Sequence, residues 1–173
     1  MRFVLCVLLW RKNMKVLIVS DSHGRHGNLE WVLEQEAPFD MFLHLGDVEE
    51  DEYYINAAVQ CRTHMVAGNN DFYSDLPREK EIMIGKYRVY MTHGHMQYVS
   101  MNTRRLKEEG KRRLANIVMY GHTHKPDIDL SEDVIAINPG SISYPRQSGR
   151  LASYIVMEID GNGKANFVLK YVQ

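Results

Sequence analysis

Along this chain, apolar residues gather in short runs that end at a glycine or a small polar cluster. Val16-Leu-Ile-Val19, Met41-Phe-Leu43, Met65-Val-Ala67, Val89-Tyr-Met91 and Ile117-Val-Met119 are strand-like in length and composition. They predict strands over 15–20, 40–45, 62–67, 87–91 and 116–120. Leu29, Val32 and Leu33 share one face at helical spacing, and Pro38 marks the end of that helix. The acidic stretch over 49–52 opens a shorter helix, where negative charge complements the helix N-terminus. Glu81-Ile-Met-Ile84 and the strand from Tyr87 are joined by Gly85-Lys86 and read as a hairpin. A helix is expected over about 97–114, with Gly110 as a potential break. Val134–Ile137, Ala152–Met157 and Asn166–Leu169 then predict strands. Alternating β and α elements give way to strands, so the simplest architecture is one α/β domain. In it, two sheets pack face to face with helices outside.

The bulk numbers narrow the reading. A chain of 173 residues suits one domain that buries roughly two-thirds of its unfolded surface. A net charge of −1 gives no overall field to attract nucleic acid or a membrane. Cys6 and Cys61 form no disulfide framework or thiolate zinc spacing, and a reducing cytoplasm fits them. Phe3 to Trp10 is an apolar run flanked by Arg2, Arg11 and Lys12, far short of the roughly 20 residues that span a bilayer. Met14 reads as a self-sufficient domain start. Residues 1–13 are therefore taken as an extension or a mis-assigned start, and 14–173 as the domain.

The polar clusters that end the runs carry the chemistry. They are Asp21-Ser-His23, Gly46-Asp47, Gly68-Asn69-Asn70-Asp71, His93-Gly-His95 and Gly121-His122-Thr-His124. If the preceding runs share a sheet, the clusters meet at strand ends, where α/β folds build their sites. Carboxylate, imidazole and amide oxygen together suit divalent manganese, iron or zinc. The candidate ligands Asp21, His23, Asp47, Asn69, His93, His122 and His124 number seven, too many for one tetrahedral ion and about right for a bridged pair. Asp47 is the natural bridging carboxylate. A metal pair about 3.5–4 Å apart makes hydroxide available near neutral pH and holds phosphoryl oxygens. Isolated histidines such as His44 and His64 read as packed or surface residues.

In this order the motifs resemble the calcineurin-like metallophosphoesterase superfamily, and within it the small bacterial and archaeal YfcE-type phosphodiesterases. Thr92-His-Gly-His95 and Asn138-Pro-Gly-Ser141 add to the likeness, which covers about residues 14–172. The resemblance implies a four-layer αββα sandwich of two mixed sheets. It places Asp21, His23, Asp47 and His124 around one metal, and Asp47, Asn69, His93 and His122 around the other. Manganese is a common activating ion of the group; zinc, iron and nickel are the other candidates.

One departure bears on catalysis. Many members carry a histidine after the asparagine of the Gly-Asn motif, and it helps to protonate the leaving group. Here the residue is Asn70, which has no titratable proton. General acid catalysis is worth roughly 10²–10⁴-fold, so poor leaving groups should suffer most. His95 is an alternative acid or a packing residue, and Asp71 is read as serving turn geometry or outer hydrogen bonding to the site.

The expected function is dinuclear-metal-dependent phosphoester hydrolysis favouring small phosphodiesters, with attack by a metal-bridging hydroxide while Asn69, His93 and the cations position the phosphoryl group. Arg146 is a candidate phosphate contact. The cations over 104–113 read as a solvated helix face, which leaves nucleic acid an unfavoured substrate. A non-catalytic scaffold of the same fold, as in the retromer complex, and a nuclease are the rival functions. A dimer or larger assembly stays open.

Overall fold

The computed structural model describes residues 13–131 and 133–173. Apart from Asn13, the extension expected at the N-terminus lies outside the described residues. In chain order the elements are β1 (Met14–Val19), α1 (Gly27–Glu36), β2 (Met41–His44), α2 (Glu52–Ala58), β3 (Arg62–Met65), β4 (Glu79–Ile84) and β5 (Tyr87–Thr92). A 3₁₀ turn at His95–Gln97 precedes α3 (Arg104–Arg112). Then come β6 (Ile117–Met119), β7 (Pro126–Asp129), β8 (Ile135–Pro139), β9 (Ser153–Ile159) and β10 (Ala165–Tyr171).

The strands form two mixed five-stranded sheets, in the orders β10-β9-β1-β2-β3 and β4-β5-β6-β8-β7. β1, β2 and β3 run parallel, as do β5, β6 and β8, and antiparallel strands complete both sheets. Burial on both faces explains why the central strands read as unbroken apolar runs. Val16 and Ile18 of β1 face the seam between the sheets, against Met41, Leu43, Met91, Ile117 and Met157. Leu17 and Val19 point the other way, beneath Leu29 and Val32 of α1 and Ile55 of α2. On the far side, Tyr90, Val118 and Ala136 pack against Leu106 of α3. The result is the expected helix–sheet–sheet–helix sandwich. One buried anion ties its first sheet to α1: Glu36 meets Lys15 of β1 at 2.7 Å, and Tyr154 of β9 and Lys170 of β10 at 2.8 Å each.

Two elements differ from expectation. The helix predicted over 97–114 is a 3₁₀ turn, an irregular stretch and then α3. Tyr98 takes a left-handed φ of 57°, which ends any right-handed helix running through it. Gly110 does not break α3. A Cβ there would stand 2.5 Å from Cγ1 of Val118, so glycine lets the helix settle on β6. β7 was not expected, because Pro126–Asp129 lacks an apolar run. Among the described residues it is an edge strand paired only with β8, a position that tolerates proline and charge.

Candidate metal centre

Sharp turns follow β1, β2 and β6 and aim the polar clusters inward. Asp21, His23, Asp47, His122 and His124 all adopt left-handed φ angles, between 49° and 67°. Such angles are uncommon outside glycine, Asp and His tolerate them best, and they concentrate at functional sites. Backbone bonds lock the turns to one another: Asp21 N–H donates to Gly46 O at 3.0 Å, His23 N–H to Asp47 O at 3.0 Å and Gly121 N–H to His93 O at 3.1 Å. The loop after β3 presses just as closely. A Cβ on Gly68 would lie 2.4 Å from Asp47 N, so no larger residue fits without moving backbone.

Four of the candidate ligands form one compact set, with the donor atoms of Asp21, His23, Asp47 and His124 all within 4.8 Å of one another. His124 Nε2 is 3.1 Å from Asp21 Oδ1, and His23 Nε2 is 3.4 Å from His124 Nε2. His93 joins from the second sheet, its Nε2 3.5 Å from Asp47 Oδ2 and 3.9 Å from Asp21 Oδ1. The His122 ring lies edge-on to that of His93, with centroids 5.2 Å apart, and its backbone N–H donates to Asp21 Oδ2 at 3.3 Å. Among the described residues, Asn69 Oδ1, Asp21 Oδ1 and His93 Nε2 are buried without hydrogen-bond partners. Unpaired buried polar atoms are costly in a folded protein. A divalent cation would satisfy all three, so the donor set fits a metal site.

Three histidines are held with the same atom facing inward. His93 Nδ1 donates to Leu45 O, His124 Nδ1 to Tyr144 O and His23 Nδ1 to Glu49 Oε1, each at 2.7 Å. Fixing the proton on Nδ1 leaves the Nε2 lone pair directed at the carboxylates, the tautomer that metal coordination requires.

The electrostatics agree. Burial alone would raise the Asp47 and Asp21 carboxyls, but neighbouring imidazoles and hydrogen bonds hold both below the ordinary value. Burial pulls His93 down, yet Asp47, Asp21 and the Leu45 carbonyl push it up to about 8. The pocket therefore favours positive charge at the Nε2 position. Burial and the neighbouring imidazoles lower both His122 and His95.

The residues around this set have structural partners. Asn70 donates from its backbone N–H to Asp47 Oδ1 at 2.9 Å and from Nδ2 to Oδ2 at 2.8 Å. Asp71 accepts from Gly68 N–H within its own turn and from Glu49 N–H in the loop after β2, at 2.7 Å each. Ser141 Oγ donates to Asp21 O at 2.8 Å, and Asn138 Nδ2 donates to Gly121 O at 3.0 Å, so this turn braces the ligand loops. His95 lies 5.6 Å from His93 and 6.1 Å from His122 between ring centroids. His44 is fully buried: its Nδ1 accepts from Gly46 N–H, its Nε2 meets Ser22 Oγ, and burial pushes its pKa down to about 4. It is a packed neutral imidazole. Arg146 reaches the site through its backbone, donating N–H to His124 O at 2.9 Å.

Sequence reasoning missed Glu49 and Tyr144 as orienting partners. Glu49 was read as helix-opening charge, and a backbone carbonyl such as that of Tyr144 leaves no trace in residue type. The basic segment of α3 is largely neutralised. Arg113 pairs with Glu79, Glu81 and Glu109, Arg112 with Glu109, and Lys107 with Asp129.

Residues 14–162 match the profile of the calcineurin-like phosphoesterase superfamily domain. "Probable metallophosphoesterase YsnB" of Bacillus subtilis strain 168 is 30% identical over 150 residues, covering 86% of each chain. "Phosphodiesterase YfcE" of Escherichia coli K12 is 29% identical over 171 residues, covering 85% of this chain and 89% of its own. Among solved structures, a conserved uncharacterized protein of Streptococcus pneumoniae TIGR4, designated a "predicted phosphoesterase", superposes with a TM-score of 0.75. It is 27% identical and covers 92% of this chain and 99% of its own. Zinc-complexed Vps29 of Entamoeba histolytica superposes with a TM-score of 0.72 at 21% identity, over 92% of this chain and all of its own, and shares the fold. A profile match over most of the chain, carried by clusters that the fold brings to one buried set, places this chain in the calcineurin-like phosphoesterase superfamily.

Proposed function

We propose that this chain is a dinuclear-metal-dependent phosphoesterase that prefers small phosphodiesters. The observation that carries the reading is the trio of Nε2 lone pairs, each fixed by an outer hydrogen bond and turned towards two buried carboxylates. Asp21, His23, Asp47 and His124 would hold one cation, and Asp47, Asn69, His93 and His122 the other. The mixed oxygen and nitrogen donors suit manganese, iron or zinc; the family resemblance favours manganese among them and adds nickel. Such ions supply charge for phosphoryl oxygens and hydroxide near neutral pH.

The chain's own residues do the rest. Asn70 fixes both oxygens of Asp47, while Leu45 O, Tyr144 O and Glu49 fix the imidazole tautomers. No titratable proton stands at residue 70, so leaving groups depart without help there. Aryl diesters should therefore outrun alkyl diesters, with rates falling steeply as leaving-group pKa rises. A cleft of about 560 Å³ opens beside His23 and His124 and can admit a small diester. Paired cations on α3 offer no broad surface for a nucleic-acid backbone. Among the described residues no helix is long and apolar enough to cross a membrane, and a cytoplasmic setting belongs to the same proposal.

The test is hydrolysis of bis(4-nitrophenyl) phosphate and 4-nitrophenyl phosphate by metal-stripped protein. Manganese, zinc, nickel and magnesium are restored one at a time, with Asp47→Ala as control. Expected is diester cleavage that depends on added metal, exceeds monoester cleavage and vanishes in the variant. Silence with every ion, despite two cations bound per chain, would sink the enzymatic reading and favour a scaffold.

A further inference from the structure

The cleft that opens on His23 and His124 has a second wall, built from Tyr144, Pro145, Arg146 and Arg150. Glu49 also lines it, but its carboxylate is engaged with His23 Nδ1. The two arginines belong to the segment that follows the brace at Ser141. Arg146 is anchored by its backbone on His124 O at 2.9 Å, so its side chain starts next to a candidate ligand. Arg150 adopts a left-handed φ of 47° directly after Gly149 at 81°, a strained turn at the rim of the cleft. Neither guanidinium is ion-paired among the described residues, in contrast to the neutralised cations of α3. A third guanidinium, that of Arg25, lies 4.2 Å from the centre of the Tyr144 ring, and the same ring packs edge-on against His23 at 5.2 Å. Positive charge thus gathers along one side of a cleft whose other side carries the candidate metal ligands.

We propose that Arg146 and Arg150 form a second anion subsite, and that the substrate is a small phosphodiester carrying a further phosphate group. The diester would sit at the His23 and His124 end while the additional phosphate lies against the two arginines. Guanidinium groups suit this role, because their planar fork pairs with phosphate oxygens through two parallel hydrogen bonds. Both arginines are exposed, which makes the contact sensitive to ionic strength. This inference rests on the phosphodiesterase reading for its substrate, but the anion subsite itself can be tested apart from turnover.

Two probes share one leaving group: thymidine 3′-(4-nitrophenyl phosphate), and the same diester bearing a 5′-phosphate. With manganese present, the 5′-phosphorylated diester should show about a ten- to hundredfold higher kcat/KM, mostly through a lower KM. That ratio should collapse towards one in Arg146→Ala and Arg150→Ala, recover in part in Arg146→Lys, and shrink as salt rises. Calorimetry on folded protein supplies the independent readout. Thymidine 3′,5′-bisphosphate should bind about tenfold more tightly than thymidine 3′-phosphate, and the difference should vanish when both arginines are replaced. Equal kcat/KM for the two diesters, or arginine variants that lower both alike, would overturn the subsite while leaving the phosphodiesterase reading intact. A binding preference for the bisphosphate without cleavage of either diester would keep the subsite and overturn that reading.

Discussion

Asn70 illustrates how a side chain outside the ligand set can govern it. Its two hydrogen bonds engage both oxygens of Asp47, one of the two buried carboxylates of the candidate metal centre. Outer partners of this kind are typically worth 10–100-fold in affinity or rate. Asn70→Ala should therefore lower manganese affinity or kcat/KM by about that factor while the fold survives. Competition titration and steady-state kinetics measure both, and wild-type values in both would deny Asn70 its positioning role. In the sequence Asn70 was conspicuous only for lacking an acidic proton. What it does instead depends on a loop meeting Asp47 from 23 residues away, which spacing does not encode. The candidate ligands were legible because Asp, Asn and His differ chemically from the apolar runs before them. Leu45 and Tyr144 act through carbonyl oxygens that every residue possesses, so they were not.

At the scale of elements, the first sheet and α1 meet around Glu36, a carboxylate only 3% exposed. Burial would raise its pKa, but Lys15, Lys170 and Tyr154 hold it down to about 2, against an ordinary 4.5. A depressed carboxyl stabilises the fold fully above the unfolded value and loses that contribution as pH falls through the folded one. The stability gap between wild type and Glu36→Gln should thus be roughly 1–3 kcal/mol at neutral pH. It should shrink between about 4.5 and about 2. Urea unfolding across that range tests it; a gap indifferent to pH would show that the contact does not depend on ionised Glu36. Runs buried on both faces made the central strands readable from the sequence. β7 escaped because an edge strand needs no apolar pattern, and the start of α3 was misplaced because the left-handed Tyr98 carries no residue-type signal.

At the scale of the molecule, the candidate ligands divide between the two sheets. Asp21 and His23 follow β1, Asp47 follows β2 and Asn69 follows β3 of the first sheet, whereas His93, His122 and His124 follow β5 and β6 of the second. A bound cation would cross-link the sandwich at one end of its apolar seam. Binding only the folded state at 100 times Kd adds about 2.7 kcal/mol, which for a chain of this size raises Tm by roughly 5–10 °C. Calorimetry with and without saturating manganese should show that rise in the wild type and little of it in Asp47→Ala. Equal shifts in both would mean that the ion acts elsewhere. Neither sheet holds a complete donor set alone, and a one-residue slip in β5 or β6 would turn its imidazole away from the carboxylates. Bound metal per chain would then be a molecular audit of folding, counting only molecules whose two sheets have docked in register.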